Sequence, residues 1–177
     1  DVSGLLELRE VVAKYHSKKN KYPYTADNII IGPGSKELIF QTQLIMDGDL
    51  LLPSPSWVSY EPQANIINKK IHWLNTTAKT NWHLNPKTLD EVCQLNKNIN
   101  KLLILNSPNN PSGTIHGDLK DLADVAKKHD VIIISDEIYA ELDFTGEYKS
   151  LTHYYPEGTI ISSGLSKWCG AGGWRLG

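Results

Sequence analysis

The sequence predicts an α/β fold of three layers, αβα, in which helices cover both faces of a mostly parallel sheet. Unbroken apolar runs at residues 101–105 and 131–134 are typical of strands buried on both sides. Segments with helical spacing alternate with such strands, which favours parallel strands joined by right-handed crossovers. The unusual polar and glycine-rich residues follow the strands, at the edge where sheets of this class bind ligands.

The bulk composition predicts one globular domain. The chain has 177 residues, 40% of them hydrophobic and 21% charged, which is enough for a core and argues against a disordered protein. A net charge of −2 argues against nucleic acid or an acidic membrane as partner, and no apolar run is as long as a membrane span. Six scattered histidines and two cysteines lack metal-ligand spacing. So few cysteines favour a reducing compartment such as the cytoplasm.

Both ends of the chain have the character of cut ends. Asp1 opens directly into a helical pattern, so we expect no signal peptide. Gly177 directly follows Arg175 and Leu176, at the end of a glycine-rich segment. We therefore expect residues 1–177 to be part of a longer protein.

The first quarter predicts a helix, a strand, a turn and a second helix. Helical spacing runs through residues 4–18, at Leu5, Leu8, Val12 and Tyr15. Residues 28–31 predict a short strand, and a glycine-rich turn then leads into a helix at 36–47 with Ser35 as its N-cap. Because this arrangement aims several backbone N–H groups at one point, it predicts an anion site.

The middle of the chain predicts a strand that ends in a rigid segment. Residues 49–52 form the strand, and two prolines then fix the backbone before Trp57 and so place its ring. The next elements are predicted as a helix at 60–68, a strand at 70–74 and a helix at 89–95.

The second half repeats the alternation of strand and helix. The strand at 101–105 leads into a loop at 106–114 that is dense in asparagine and proline. Asp118 caps the next helix, whose apolar face is formed by Leu119, Leu122, Val125 and Ala126. The strand at 131–134 ends near Asp136, and a last strand at 159–162 precedes Lys167.

Lys167 is the candidate for covalent chemistry. It lies among small residues, where a planar ligand can approach, and a partly desolvated lysine has a lowered pKa and a nucleophilic amine. Such an amine forms Schiff bases with carbonyl compounds. Arg175, eight residues later, offers a forked cation suited to a phosphate.

The residues at the other strand ends indicate one flat, charged ligand. Asp136 ends a buried strand and needs a cationic or hydrogen-bonded partner, Tyr139 offers a phenol, Asn110 a fixed amide and Trp57 a flat face. Together with Lys167, Arg175 and Ser35, they suit an aromatic ligand with a basic ring nitrogen, a hydroxyl, an aldehyde and a phosphate. Pyridoxal 5′-phosphate has all four groups.

The motifs occur in the order and spacing of a known family. The chain resembles the large domain of the fold-type I, class I/II pyridoxal-phosphate-dependent aminotransferases over essentially its whole length. The matching segments are Asn106–Gly113 with its Asn-x-Pro-x-Asn-Pro-x-Gly pattern, the pair Asp136 and Tyr139, the lysine segment 164–177, Pro55-Ser56-Trp57 and Gly34-Ser35-Lys36. Residues 57–60 are similar to the branch that includes aspartate and aromatic aminotransferases.

The resemblance implies a role for each matching residue. Lys167 holds the cofactor as a Schiff base and transfers the substrate's α-proton, and Asp136 keeps the pyridine nitrogen protonated. Tyr139 and Asn110 hydrogen-bond the ring hydroxyl, and Trp57 stacks on the ring. The phosphate is held by Gly34, Ser35, Lys36 and Arg175. The resemblance also implies cis peptide bonds before Pro55 and Pro111.

Two departures from the family pattern bear on completeness. Gly164 stands where many relatives have a phosphate-binding serine. An antiparallel sheet strand, expected after Gly177, and a small domain with the arginine that binds the substrate carboxylate lie outside these residues. The resemblance also implies a homodimer with shared active sites.

The reaction is left with three hypotheses. The first is transamination between an amino acid and a 2-oxo acid. The second is a lyase on the same scaffold, of the carbon–sulfur lyase or aminocyclopropane-carboxylate synthase type. The third is that the 177-residue polypeptide alone is an incomplete, inactive domain.

Overall fold

A computed structural model describes residues 2–177 and contains one five-stranded sheet within that range. Neighbouring strands are all parallel, in the order β2-β1-β3-β4-β5. The strands are β1 at Asp49–Ser54, β2 at Ile71–Asn75, β3 at Lys101–Asn106, β4 at Ile132–Asp136 and β5 at Thr159–Ser162. The predicted parallel α/β class is therefore confirmed.

Five α-helices connect and cover these strands. They are α1 at Leu6–Asn20, α2 at Ser35–Ile45, α3 at Tyr60–Ile66, α4 at Pro86–Leu95 and α5 at Leu119–Lys128. Each predicted helix is present, with ends that differ by a few residues. The largest difference is at α4, which begins at Pro86 because Asn85 caps it by accepting a hydrogen bond from the Lys87 N–H at 2.8 Å.

The sheet separates two apolar cores, as a three-layer fold requires. Leu103 and Ile133 belong to the core that α4 and α5 cover, whereas Leu102 and Ile134 belong to the core that α2 and α3 cover. Successive side chains of a strand point to opposite faces, so an unbroken apolar run serves both cores at once. This confirms the interpretation of the runs at 101–105 and 131–134.

Removing the Leu103 side chain is expected to test this central packing. Leu103 lies on β3, the middle strand, and is fully buried, so Leu103→Ala is expected to lower the free energy of unfolding by about 2–5 kcal/mol. Urea denaturation measures the change. Ile160→Ala on the edge strand β5 is the control, because Ile160 is 41% exposed and its loss is expected to stay below about 1 kcal/mol. Equal losses at the two positions would contradict the assigned core.

The predicted strand at residues 28–31 is wrong. Ala26–Asn28 form a 3-10 turn, and the residues after it are extended but join no sheet among the described residues. The Ile31 N–H donates to the Ser3 carbonyl at 2.9 Å, and Ile30 is 66% exposed. An apolar run becomes a strand only when another strand lies alongside to complete its ladder.

Gly32 nevertheless pairs with the last residue of the sequence. The two glycines exchange backbone N–H···O bonds of 3.0 and 3.1 Å, the pattern of an antiparallel hydrogen-bonded pair. The Leu165 N–H donates to the Leu176 carbonyl at 3.3 Å. The segment Leu176–Gly177 is therefore hydrogen-bonded to Gly32 on one side and to Leu165 on the other. The extended segment after the 3-10 turn and the segment after Lys167 are thereby brought together.

The predicted apolar face of α1 is only partly correct. Leu5 and Tyr15 are exposed, and the buried residues of the helix are Arg9, Ala13 and Asn20. The reason is that α1 packs on polar neighbours rather than on the sheet. The Arg9 guanidinium, for example, donates to the Ala26 carbonyl at 2.9 Å.

The predicted N-cap of α2 is also wrong. Ser35 is the first residue of the helix, and Gly34 is the N-cap, with φ of 100°. Glycine adopts this backbone conformation without the strain that a side chain would add. Asp118 does precede α5 as its N-cap residue, although its side chain accepts no capping hydrogen bond.

Candidate active site

The carboxyl ends of the parallel strands bring the predicted site residues to one edge of the sheet. Asp136 ends β4, the loop with Asn110 follows β3, the segment with Trp57 follows β1, and Lys167 follows β5. The register places Asn106 beside Asp136 and Asp136 beside Ser162, so three strand ends are level. Ligands of open α/β sheets bind at this edge.

Asp136 is a buried carboxylate with no ion pair among the described residues. It is 3% exposed, accepts a hydrogen bond of 2.6 Å from the Tyr60 hydroxyl and accepts one of 3.3 Å from the Ile138 N–H. Burial raises its pKa to about 6, against the opposing effects of these two hydrogen bonds and of the Lys167 charge. The carboxylate therefore lies in a place that favours a cationic ligand.

Lys167, Tyr139 and Asn110 form a second group beside it. The Lys167 Nζ lies 5.7 Å from the centroid of the Tyr139 ring, and the Asn110 amide donates to the Tyr139 hydroxyl at 3.3 Å. The Lys167 side chain is exposed, so a ligand can reach its amine. Phenol, amide and amine thus face one open space.

Asn106 holds the Asn110 loop against β4. Its side-chain oxygen accepts from the Asn110 N–H at 2.7 Å, and its amide nitrogen donates to the Asp136 carbonyl at 2.9 Å. It is 4% exposed. A single buried side chain therefore fixes the distance between the loop and the end of β4.

Trp57 packs against Tyr60, the residue whose hydroxyl donates to Asp136. The two rings meet edge to face, with centroids 5.3 Å apart and planes at 81°. The Lys36 ammonium lies 5.4 Å from the Trp57 ring centroid, which joins the helix α2 to this aromatic pair. The peptide bonds before Pro55 and Pro111 are cis, as predicted, and the bond before Pro108 is cis as well.

Arg175 and the start of α2 converge on one spot. The guanidinium donates to the Pro33 carbonyl at 3.3 Å and to the Gly172 carbonyl at 3.0 Å. A Cβ atom at Gly34 would overlap this guanidinium, so only glycine allows the approach. The first N–H groups of α2, beginning at Ser35, lie at the positive end of the helix dipole next to an arginine, which is an arrangement suited to a phosphate.

These groups fit pyridoxal 5′-phosphate. Asp136 lacks a cation that a protonated ring nitrogen would supply, Tyr139 and Asn110 offer partners for a hydroxyl, and the Gly34–Arg175 contact marks an anion site. Within residues 2–177 no three histidine, cysteine, aspartate or glutamate side chains are arranged to hold a metal ion, and no helix is long and apolar enough to cross a bilayer.

Comparison with known proteins decides the family. The sequence pattern of the family described as "Aminotransferase class I and II" matches residues 1–177. The chain belongs to the class I and II aminotransferases.

Curated relatives of this aminotransferase chain carry amino-transfer names. An aspartate aminotransferase of Thermotoga maritima is 34% identical and is matched over 100% of this chain and 48% of its own length. The asparagine–oxo-acid transaminase of Streptococcus mutans is 30% identical, over 99% of this chain and 46% of its length. The chain therefore spans about half the length of the curated relatives it matches.

Solved aminotransferase structures share the fold. The Thermus thermophilus aspartate aminotransferase solved with maleate superposes with a TM-score of 0.90 at 30% identity, over 98% of this chain and 46% of that one. The alanine aminotransferase of Pyrococcus furiosus gives 0.85 at 28% identity, over 99% of this chain and 46% of that one. This agreement confirms the fold-type I large-domain architecture predicted from the motifs.

Tyr60 is the site residue that the sequence analysis missed. It is 1% exposed, and its hydroxyl is the donor to Asp136. Burial and the adjacent Asp136 carboxylate raise the pKa of this phenol well above its ordinary value, so it stays protonated and able to donate. The only signal in the sequence was its position three residues after Trp57, at the start of a predicted helix.

The Tyr60→Phe variant of this aminotransferase is expected to leave the Asp136 carboxylate with one donor fewer. A buried charged group that loses a hydrogen bond destabilises the fold by about 1–3 kcal/mol. The loss is expected at pH 8, where Asp136 is ionised, and is expected to shrink below pH 5, because the Tyr60 bond lowers the pKa of Asp136 and favours its charged form. Urea denaturation of the cofactor-free protein at the two pH values measures it.

The matched control is Tyr22→Phe. Tyr22 is 38% exposed, and no pH-dependent loss is expected there. A Tyr60→Phe loss that is equal at pH 8 and pH 5 would show that the hydroxyl serves packing rather than the Asp136 carboxylate.

Proposed function

We propose that the protein containing this chain transfers an amino group between an amino acid and a 2-oxo acid, with pyridoxal 5′-phosphate held at the edge described above. The observation that carries the proposal is Asp136, a buried carboxylate without an ion pair, placed beside an accessible Lys167 amine. A buried carboxylate without an ion pair is costly, and a protonated ring nitrogen bound beside it would supply the missing partner charge.

Each site residue would bind a different group of the cofactor. Asp136 would pair with the ring nitrogen, Tyr139 and Asn110 with the ring hydroxyl, and Trp57 would cover the ring. The phosphate would lie against the start of α2, held by Gly34, Ser35, Lys36 and Arg175. When bound, the cofactor supplies an aldehyde that condenses with amines and a protonated ring that withdraws electrons from the substrate's α-carbon.

The chain's own groups then have distinct tasks. The Lys167 Nζ would hold the cofactor through its aldehyde and would move a proton to and from the substrate's α-carbon. Asp136 keeps its partner nitrogen protonated. The Asn110 amide donates to the Tyr139 hydroxyl at 3.3 Å and so orients it. The Tyr139 hydroxyl would then donate to the ring hydroxyl of the cofactor, near the Lys167 amine. These assignments need the three side chains in one space, which the 5.7 Å approach of Lys167 to the Tyr139 ring supports.

We propose further that residues 1–177 form the cofactor-binding part of a larger domain in a homodimer. The antiparallel Gly32–Gly177 pair supports an added strand after Gly177, between the segment at 29–32 and β5. Two free cysteines, Cys93 and Cys169, support a reducing compartment such as the cytoplasm. For the amino donor, the names of the relatives favour aspartate or asparagine as the first compounds to assay.

The test is a titration of the full-length protein with pyridoxal 5′-phosphate, followed by borohydride reduction and peptide mapping. The proposal expects a visible absorption band and a single label on Lys167. Label scattered over several lysines would overturn the site.

The reaction itself is tested with aspartate and a 2-oxo acid. Amino transfer that depends on the 2-oxo acid supports transamination, and release of ammonia or pyruvate without an acceptor would favour a lyase instead. The same assay on the 177-residue polypeptide tests the expectation that it is inactive alone, which any measurable transfer would contradict.

A further inference from the structure

A second buried carboxylate, Glu137, lies directly behind the candidate site. It is 2% exposed and follows Asp136 at the end of β4. Asp136 contacts Tyr60, on the side of the sheet that α2 and α3 cover. Glu137 contacts Ser150, next to Leu151 in the core that α4 and α5 cover. The two carboxylates therefore act on opposite faces, and the proposed reaction uses only the first.

Three hydroxyl groups surround the Glu137 carboxylate. Its Oε1 accepts from the Ser135 hydroxyl at 2.9 Å and from the Ser150 hydroxyl at 2.5 Å, and the Tyr148 phenol lies near enough to interact with the carboxylate electrostatically. A side chain that accepts from several donors at once is suited to the ionised, acceptor-only form. Hydroxyl donors of this kind also compensate a carboxylate for its burial.

The same residue is bonded through its backbone. The Glu137 N–H donates to the Ser162 carbonyl at 2.8 Å, and the Ala140 N–H donates to the Glu137 carbonyl at 2.9 Å. Ser150 in turn contacts the Thr152 hydroxyl at 2.8 Å. Glu137 is thus fixed by β5, by the turn it belongs to and by the segment that contains Ser150. That turn, at residues 136–140, carries both Asp136 and Tyr139.

We propose that Glu137 is a positioning residue whose carboxylate, bound by the hydroxyls of Ser135 and Ser150, fixes the turn that presents Asp136 and Tyr139 to the cofactor. The inference rests on the proposed function, because the cofactor roles of those two residues belong to it. Glu137 acts through the backbone of the turn and has no assigned contact with a ligand.

The surroundings of Glu137 supply a matched control. The titratable side chains that interact with it electrostatically are Lys19, Tyr15 and Tyr24 from α1 and the loop after it, and Tyr148 from the loop before Ser150. Glu141 is on the following turn and pairs with Lys19, but it is exposed. Glu141→Gln therefore removes a nearby acidic charge without touching the three hydroxyls.

The experiment compares Glu137→Gln with Glu141→Gln in the full-length protein. Glutamine keeps the size of the side chain and one acceptor oxygen, but it loses the charge to which the Ser135 and Ser150 hydroxyls donate. In metal sites, removing a group that orients a ligand costs about ten- to a hundredfold in affinity, and we expect a loss of about tenfold in pyridoxal 5′-phosphate affinity for Glu137→Gln. The pH midpoint of the visible band is expected to fall by about half a pH unit, because a negative charge near the site favours protonated groups.

A readout without cofactor accompanies these. Amide hydrogen exchange across residues 138–142 is expected to be at least about tenfold faster in cofactor-free Glu137→Gln than in the original protein, because the turn has lost its anchor. Glu141→Gln is expected to match the original protein in affinity and in the midpoint. Ser150→Ala, which keeps the carboxylate charge and removes one donor, is expected to shift the affinity and the exchange rate in the direction of Glu137→Gln by a smaller amount and to leave the pH midpoint unchanged.

Two outcomes separate the inference from the function beneath it. If Glu137→Gln, or Ser150→Ala should the former fail to fold, lowers the melting temperature but binds the cofactor with unchanged affinity and midpoint, Glu137 is structural only and the inference is wrong. If the original protein forms no band and no Lys167 label, the proposed function has failed, whatever the variants do.

Discussion

Lys167→Ala is expected to lower transamination by about a thousandfold or more and to abolish the borohydride label. Under the proposed function, the variant would remove both the amine that holds the aldehyde and the group that moves the α-proton, and a positioned acid–base group by itself accounts for about 10²–10⁴ in rate. The other two cations assigned to the site lie elsewhere among the described residues. Lys36 lies over the Trp57 ring rather than the Tyr139 ring, and Arg175 donates to the Pro33 and Gly172 carbonyls.

Lys167→Arg distinguishes charge from chemistry. Arginine keeps the positive charge beside Asp136 and Tyr139, but it does not lose a proton near neutral pH and cannot act as the nucleophile. We therefore expect the arginine variant to be as inactive as the alanine variant, and Lys149→Ala, at an exposed position, to be fully active. Steady-state assays and peptide mapping measure both. Recovery of more than a tenth of the activity by Lys167→Arg would show that only the charge matters.

Asp136→Asn is expected to have opposite effects on activity and on stability. The amide cannot keep a partner nitrogen protonated, and the loss of one preorganised electrostatic group in an active site typically lowers the rate by about 10²–10³-fold. In the cofactor-free protein the same change removes a buried charge that has no ion pair within the described residues. The Tyr60 hydroxyl can still donate to the asparagine oxygen, so the local packing is kept.

The sign of the stability effect follows from the pKa of Asp136. Burial raises it from 3.8 to about 6, so between these values the folded protein binds a proton that the unfolded chain has released. Stability contributed by this group is complete below pH 4 and is lost as the pH rises to 6. A pKa difference of about two corresponds to about 3 kcal/mol, and Asp136→Asn is expected to be more stable than the original protein by up to that amount at pH 7.

Urea denaturation of the cofactor-free protein at pH 4 and pH 7 measures this effect. The two proteins are expected to coincide at pH 4 and to diverge at pH 7. Asp143→Asn is the control with the opposite sign, because the Thr145 hydroxyl and the backbone N–H groups of the same loop lower the pKa of Asp143 and its ionised form is the stabilising one. An Asp136→Asn variant that is less stable at pH 7 would contradict an uncompensated charge at this position.

We expect activity to fall and stability to rise together because Asp136 is placed to bind a cation that the cofactor-free protein lacks. The fold accommodates a carboxylate in an apolar place, at a cost that the cofactor's ring nitrogen would remove on binding. We therefore expect the cofactor to raise the melting temperature of the original protein more than that of Asp136→Asn, by mass action on the folded state.

Much of the sheet could be predicted because its signals are local. The apolar runs within 101–105 and 131–134 are short and apolar on both faces of the strand, which favours strands covered by helices on both sides. The motif residues could be predicted because Asp136 and Tyr139, or Lys167 and Arg175, lie within one turn or one short loop of each other. Their spacing in the chain already limits their spacing in space.

The remaining features depended on neighbours that are far away in sequence. Within residues 28–31, the three isoleucines form a short apolar run like that of a strand, yet these residues lack a partner among the described strands. Tyr60 is an ordinary tyrosine until the fold places it 2.6 Å from Asp136, which lies 76 positions later. Glu137 is, in the sequence, an acidic residue after a strand, and only the fold shows its contacts with β5 and with Ser150. Local sequence determines which backbone conformation a segment prefers. Only tertiary packing determines which hydroxyl reaches a buried carboxylate, because the two groups come from segments that are distant in the chain and are buried together only in the fold.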